Sequence, residues 1–444
     1  MEHLLHYVWK HKLFPLKVLQ TTNGLPVEVI DPGLQNPNAG PDFFNAKLKI
    51  DGALWVGNIE IHTHSSDWFR HGHHSDKAYD SVILHVVSEA DTEITRTNGE
   101  QIPQLLLTCP ENVRLHYHEL CVADQYPACH PILASLPKLT IHSWLTALQT
   151  ERLEQKARLI TQRLALCNRN WEDAFFITLA RNFGFGLNGD AFETWAGLLP
   201  FRALDKHRND LFQIEAFFYG LAGLLEETFL KKEQEDEYSL RLCKEFRYLQ
   251  RKFEIGQGMD ATLWRFLRLR PENFPHIRLA QLAYLYQKGD KLFSRLLEAE
   301  TLADVRTLLD ARTSPYWENH YLFGRPSSQK EKTMGERSKD LIIINTVVPF
   351  LYTYGLHKAD ERMCERAGRF LEELKAESNH IIRSWSDAGL PVVSAADSQA
   401  LIQLQKEYCD KRKCLYCRFG YEYLKHTNDD LHLPKLNYII WRVR

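Results

Sequence analysis

No apolar run in the chain is long enough to cross a bilayer. The strongest, Leu341 to Tyr354, is interrupted by Asn345 and Pro349, whereas a spanning helix needs about 20 apolar residues; no membrane partner is expected. A secretory leader pattern is missing too, because Met1-Glu2-His3-Leu4 is not a basic region followed by an apolar stretch. Cysteine is sparse and odd in number, nine residues at irregular spacing, which fits reduced thiols better than a disulfide framework. The expected compartment is the cytoplasm. Strong charge of either sign is absent as well: the formal net charge is -2, so any contact with DNA or RNA has to come from a local basic groove.

What is present is an ordinary globular composition, 44% hydrophobic and 25% charged over 444 residues, enough for two or three domains with a real core. Histidine, with 20 copies, stands out. The chain is organised around Gly40-Pro41-Asp42 to Val86-Val87. A period of two predicts a strand from Phe43 to Ile50 and another from Leu54 to about His62, joined at Asp51-Gly52, a pair that suits the positive φ of a type I′ turn. In a strand, residues i and i+2 share a face, so Glu60 and His62 project together. With Asp42 beside them, two carboxylates and an imidazole are enough to hold a divalent cation and poise a water.

Pro41-Asp42, one hairpin, then Glu60-x-His62 resembles the signature of the restriction-endonuclease-like nucleases: Pro-Asp, one hairpin, Asp/Glu-x-Lys. The predicted element order agrees with that superfamily's core. A helix (Leu4 to Leu13) and a strand (Leu25 to Ile30) precede the motif; a short helical stretch (about Ser75 to Tyr79) and a strand (Ser81 to Val87) follow it. The resemblance implies Mg or Mn on Asp42 and Glu60, and DNA or RNA as substrate. His62 stands where the superfamily has lysine, as a base or a metal ligand. Lys47 and Lys49 lie opposite Asp42 by parity if the strand is regular, which counts against a migrated ammonium. At the position where related nucleases carry substrate-contacting residues, this chain offers His73, Asp76 and Tyr79. The chain as a whole also resembles a broad bacterial family of unknown function, through Asn36 with Gly40 to Phe43, Glu60 to His62 with Asp67-Trp68, Arg270 to Pro275, and Cys409, Cys414 and Cys417.

Beyond Glu60 the sequence is crowded with imidazoles: His62, His64, His71, His73, His74 and His85. With Asp67 and Asp76 they either assemble a Zn, Mn or Fe site or form a solvated loop. His62 and His64 rank first because they share a strand face with Glu60, and His71 and His73 come next. A polar hairpin from Glu93 to Leu107, tipped by Asn98-Gly99, extends the sheet. The connector from Cys109 to Pro137 carries Cys121, Cys129 and His130 at loose spacing, read as unligated.

Past Lys138 the pattern turns helical, with predicted helices over 139–166, 171–183, 211–229 and 238–253, and more beyond Leu341. Arg265, Arg268, Arg270 and Arg278 make the one local basic spot; Arg268 and Arg270 are the candidate phosphate contacts. Ser327 to Lys339 reads as a mobile polar loop. Cys409-x4-Cys414-x2-Cys417, followed by Gly420, suggests a structural Zn site or an iron–sulfur cluster, with His426 or Cys364 as candidate fourth ligand, or simply reduced cysteines.

The expected fold is α+β: a restriction-endonuclease-like mixed sheet with flanking helices over 1–135, then a mainly helical domain over 136–444 ending in the 409–417 knuckle. The expected function is a metal-dependent nuclease. Asp42, Glu60 and His62 are catalytic, with His64 as a further metal ligand and His73, Tyr79, Arg268 and Arg270 contacting substrate. The alternative is a catalytically inactive adaptor, or a nucleic-acid-binding scaffold with a structural metal and a protein partner.

Overall fold

The Asp51-Gly52 turn forms with φ of 49° and 79°, joining strands Phe43–Ile50 and Ala53–His64, as the hairpin signal requires. The computed structural model describes residues 2–14, 19–124, 126–226, 229–230, 235–289 and 291–425. The chain is mixed α+β and divides into two compact units. One comprises 1–137, 384–390 and the chain from Gln405 onward, and the other 138–383 and 391–404.

The first unit opens with helix α1 (Glu2–Lys10) and builds a seven-stranded sheet from β1 (Leu19–Gln20), β2 (Pro26–Asp31), β3 (Leu34–Gln35), β4 (Phe43–Ile50), β5 (Ala53–His64), β6 (Val82–Glu89) and β7 (Gln104–Leu106). The order is β1-β2-β4-β5-β6-β7, with β3 pairing β4. Pairing is antiparallel as far as β4/β5 and parallel for β5/β6 and β6/β7. A parallel pair needs a crossover, supplied here by residues 65–81 with the short helix α2 (Asp67–Arg70) and the 3-10 turns His73–Ser75 and Lys77–Tyr79. One face of the sheet packs Ala46, Leu48, Ile59, Ile61, Leu84 and Val86 against Leu5, Val8 and Trp9 of α1. A smaller apolar group, Trp68, Val82, Ile94 and Ile102 with Tyr79, forms around the crossover.

Two expectations for this unit change. The hairpin tipped by Asn98-Gly99 forms, with a Thr95–Gln101 bridge, the Arg96 amide donating to the Glu100 carbonyl at 2.9 Å and the Ile102 amide to the Ile94 carbonyl at 3.1 Å, but it extends the sheet only through β7, which follows it and pairs parallel with β6. The cysteine segment, expected at the end of the helical domain, groups with the first unit.

The second unit is helical. Its longest helix runs Lys138–Leu166, and Trp171–Phe183 follows, capped by the Asn170 side chain on the Glu172 and Asp173 amides. Helix Glu336–Ile342 continues through a π segment, Ile343–Val347, into Val348–Lys358. Pro349 cannot donate a backbone hydrogen bond, and the Asn345 carbonyl accepts instead from Asn182 Nδ2 at 3.0 Å. The stretch read as a mobile polar loop is largely exposed but anchored at two points: Lys332 and Met334 are buried, with Lys332 Nζ donating to the Glu318 carbonyl at 2.8 Å and the Met334 amide to the Ala311 carbonyl at 3.0 Å. Among the described residues no helix is long and apolar enough to cross a membrane.

The β5/β6 contact leaves no room beside Gly57, where an added Cβ would sit 2.3 Å from Ile83 Cγ2 and 2.9 Å from the Ser81 carbonyl. Gly57→Ala is expected to destabilise the sheet by about 1–3 kcal/mol, the usual overpacking range. Thermal melts of the purified variant against the native chain check this, and an unchanged midpoint would show that the strands part freely there.

Candidate metal centre

Asp42 and Glu60 are locked together across β4 and β5. The Asp42 amide donates to Glu60 Oε2 at 3.1 Å and the Ile61 amide donates to Asp42 Oδ2 at 2.9 Å. A β-bulge makes this possible. Pairing jumps from Phe43–Ile59 to Ala46–Gly57, with Asn45 at φ 55° and its amide held by Asn58 Oδ1 at 3.2 Å. The extra residue lets Phe43 and Ala46 both face the core while Asp42 turns to Glu60, as bulges commonly re-aim a side chain. The strand is therefore not regular, and the parity argument about Lys47 and Lys49 does not apply. No ammonium takes the lysine's place by that route: Lys49 pairs with Glu28 at 3.3 Å and Lys47 is exposed.

Around the carboxylates stands a group of imidazoles. Glu60 is in register with His85 on β6, and His62 Nδ1 lies 2.9 Å from His85 Nε2. The crossover brings His71 and His73 in from above the strand, on either side of Gly72, whose φ of 78° makes the turn between them. Glu60 Oε1 is 3.4 Å from His62 Nε2 and 3.2 Å from His73 Nε2, and His71 Nδ1 is 3.2 Å from His62 Nε2. Ligand atoms of His62, His71 and His73 all fall within 4.8 Å of one another.

His64 does not join them. It is 47% exposed and faces Asp67 and Glu89, because the strand ends there and the chain turns away. Asp67 is tied to Arg70 at 2.5 Å and Asp76 caps the 3-10 turn through the Ala78 amide, so neither carboxylate is a ligand. Tyr79 stacks on His73 with ring centroids 3.7 Å apart. His6 was not foreseen. It reaches Asp42 Oδ2 at 3.4 Å from α1, a contact between helix and strand that leaves no mark in sequence spacing.

Arg268 and Arg270 are exposed on the second unit. Arg278, expected beside them, is buried; it donates to Asn273 Oδ1 and Gln281 Oε1, so Asn273 holds that arginine and does not cap the following helix. Cys409, Cys414 and Cys417 gather in the first unit. Cys364 sits in the second unit with its Sγ on the Tyr352 carbonyl at 3.6 Å, and His426 lies outside the described residues.

The electrostatics of the centre follow from burial. Burial first, and then the Asp42 charge, hold the Glu60 carboxyl well above the usual carboxylate range. Burial and the neighbouring imidazoles His73 and His71 push His62 down to about 4. His85 is driven well below its ordinary value, chiefly by burial. Burial and the carboxylates of Glu60 and Asp42 raise Tyr79 to about 12. Neutral imidazoles are the form that binds metal, and nitrogen donors beside a carboxylate suit Zn, Mn or Fe better than Mg. If His62 binds through Nε2, its Nδ1 proton goes to His85 Nε2, the outer partner that metal-bound histidines ordinarily have.

Residues 2–380 match the family described as Protein of unknown function (DUF2851). The chain belongs to that family. The matched span includes His6, Asp42, Glu60, His62, His71 and His73 and ends before Cys409. No curated protein and no solved structure matches the chain.

Two outcomes are expected at this centre. His85→Ala lowers affinity for Mn²⁺ or Zn²⁺ by about 10–100-fold, the usual effect of losing an outer partner, as titration calorimetry of the metal-stripped chain would read. Glu60 sets a pH dependence. Between its ordinary value of 4.5 and its raised folded value, the folded chain keeps a proton that the unfolded chain has released, so metal-free protein loses stability as pH rises. His62 slopes the other way below 6.5; above that pH His6, raised against its burial by its bond to Asp42, and Glu215, raised by burial to about 7, fall in the same direction as Glu60, so the Glu60 share is the part that a Glu60 variant removes. Denaturant melts of chelator-treated protein should weaken from pH 6.5 upward, with Glu60→Gln flattening the fall; equal slopes in the two proteins would refute the assignment.

Proposed function

We propose that the chain is a metal-dependent hydrolase of phosphodiester bonds, acting on DNA or RNA. Glu60, His62, His71 and His73 hold a divalent transition metal and Asp42 stands at its open side. The observation that carries this is the convergence of Glu60 Oε1 with His62 Nε2 and His73 Nε2 beside a second carboxylate that is 24% exposed. The bulged Asp42 strand and the Glu60-x-His62 strand lie next to each other in a mixed sheet, the arrangement that the restriction-endonuclease-like resemblance implies. His62 is almost wholly buried and engaged by His85, which supports the role of ligand over that of mobile base. A cation here lowers the pKa of its bound water and stabilises charge on the phosphoryl oxygens. Asp42, on the accessible edge, receives the water's proton or shares the cation. Tyr79 is the proposed substrate contact at this centre; Arg268 and Arg270, exposed on the second unit, are proposed separately as phosphate contacts of that unit.

The burial of Glu60, His62 and His73 favours one other reading, a scaffold whose metal is structural. Hydrolysis of single-stranded DNA, duplex DNA, RNA and an activated phosphodiester by the Mn²⁺-loaded chain separates the two. The hydrolase reading expects turnover abolished by chelation, and lowered at least about 100-fold by Asp42→Asn, within the usual range for a lost proton-transfer group, with the circular dichroism spectrum unchanged. Metal-loaded protein inert toward all four substrates would leave the scaffold, and full activity in Asp42→Asn would refute the role given to Asp42.

A further inference from the structure

Cys129 and the three C-terminal cysteines, separated in sequence by most of the chain, line one cavity in the first unit. Cys409 ends the helical segment Leu404–Cys409, Cys414 opens the turn Cys414–Tyr416, and Cys417 immediately precedes helix Arg418–Lys425. The chain doubles back at Arg412, with φ 53°, and the Lys413 amide closes on the Tyr408 carbonyl at 2.8 Å. Cys129 enters from the other side, just before the helical turn His130–Leu133. None of these thiols is in a disulfide.

Three further features fit a bound inorganic centre. Gly420 lies against the knuckle so closely that a Cβ would sit 2.1 Å from the Cys414 carbonyl, which fixes the Cys414–Cys417 turn against the helix that follows. Trp385 lines the same cavity, is fully buried, and among the described residues no acceptor meets its indole N–H. Burying such a donor unpaired is costly, and thiolate or sulfide sulfur would accept it. Arg412 also lines the cavity, a cation beside ligands that become anionic on binding metal.

The spacing decides the kind of centre. A tetrahedral Zn²⁺ with Zn–S of about 2.3 Å draws its four sulfurs to about 3.8 Å from one another. Among the described residues the ligand atoms that converge closely enough to hold a single ion are those of His62, His71 and His73, and these sulfurs form no such group. An iron–sulfur core, with each thiolate on a different iron, spreads its ligands more widely. We propose that Cys129, Cys409, Cys414 and Cys417 ligate a [4Fe–4S] cluster, with the Trp385 indole donating to one of its sulfurs. Cys129 thereby takes the place of fourth ligand for which Cys364 and His426 were the sequence candidates. The assignment is independent of the hydrolase reading.

The full chain, purified anaerobically and reconstituted with equal amounts of Fe²⁺ and Fe³⁺ and with sulfide, is expected to bind about four irons and four acid-labile sulfides. It should also show visible absorption that dithionite bleaches. Cys129→Ser should lose most of the iron and the absorption, while Cys364→Ser keeps both. One Zn per chain without sulfide, or a full iron complement in Cys129→Ser, would overturn the assignment. Should Cys129→Ser not fold, alkylation of the native chain before and after removal of iron gives the same answer. Cys129, Cys409, Cys414 and Cys417 should gain reactivity together and Cys364 should not change; equal labelling of the four before and after removal would refute ligation.

Discussion

A carboxylate with three imidazoles in a nearly dry place has to be neutralised, and that requirement organises the first unit. Water cannot solvate the Glu60 charge, and no guanidinium or ammonium is drawn to Glu60 in the ion pairs of the described residues. Burying an unpaired charge is expensive enough that the group takes up a proton or a cation instead. The raised Glu60 and the depressed His62 and His85 are the metal-free answer to this problem. In the proposed reading a divalent ion takes the place of that proton, with Glu60 and His62 among its ligands and His85 behind them. Strand β5 makes the arrangement possible because it pairs antiparallel with the strand that begins after Asp42 and parallel with the strand that carries His85.

Much of this was legible in the residues. The alternation over Phe43 to His62 and the Asp-Gly pair carried the hairpin, and period-two parity put Glu60 and His62 on one face. The choice among the remaining histidines was not legible, because it depends on a crossover whose course no periodicity encodes. His64, favoured by parity, lies where the strand ends and solvent begins, whereas His71 and His73 return over the sheet by way of the turn at Gly72. The same limit hid His6, and it hid Cys129, whose partners lie at the far end of the sequence. Asn45 is the instructive case: one bulged residue reverses parity along β4, and so a rule that depends on a regular strand misplaced Lys47 and Lys49 relative to Asp42.

Family membership covers the residues of the histidine centre but carries no chemistry of its own. The physical reading therefore rests on donor types and distances. Imidazole nitrogen with one or two carboxylate oxygens is a donor set suited to borderline metals, and four thiols lining one cavity are a donor set suited to an iron–sulfur core. Both candidate centres lie in the same compact unit, although one is built from neighbouring strands and the crossover between them and the other from segments on either side of the helical insertion.

That separation has a consequence for biogenesis. The first unit is begun by residues that precede the helical body, is interrupted at Lys138 by that inserted body, and takes in the segment from Gln405 only after it. Domains generally fold in the order of their synthesis, yet here the unit started first is finished last. The nascent sheet must wait, with one face of its cysteine pocket missing, until the whole helical body has been made.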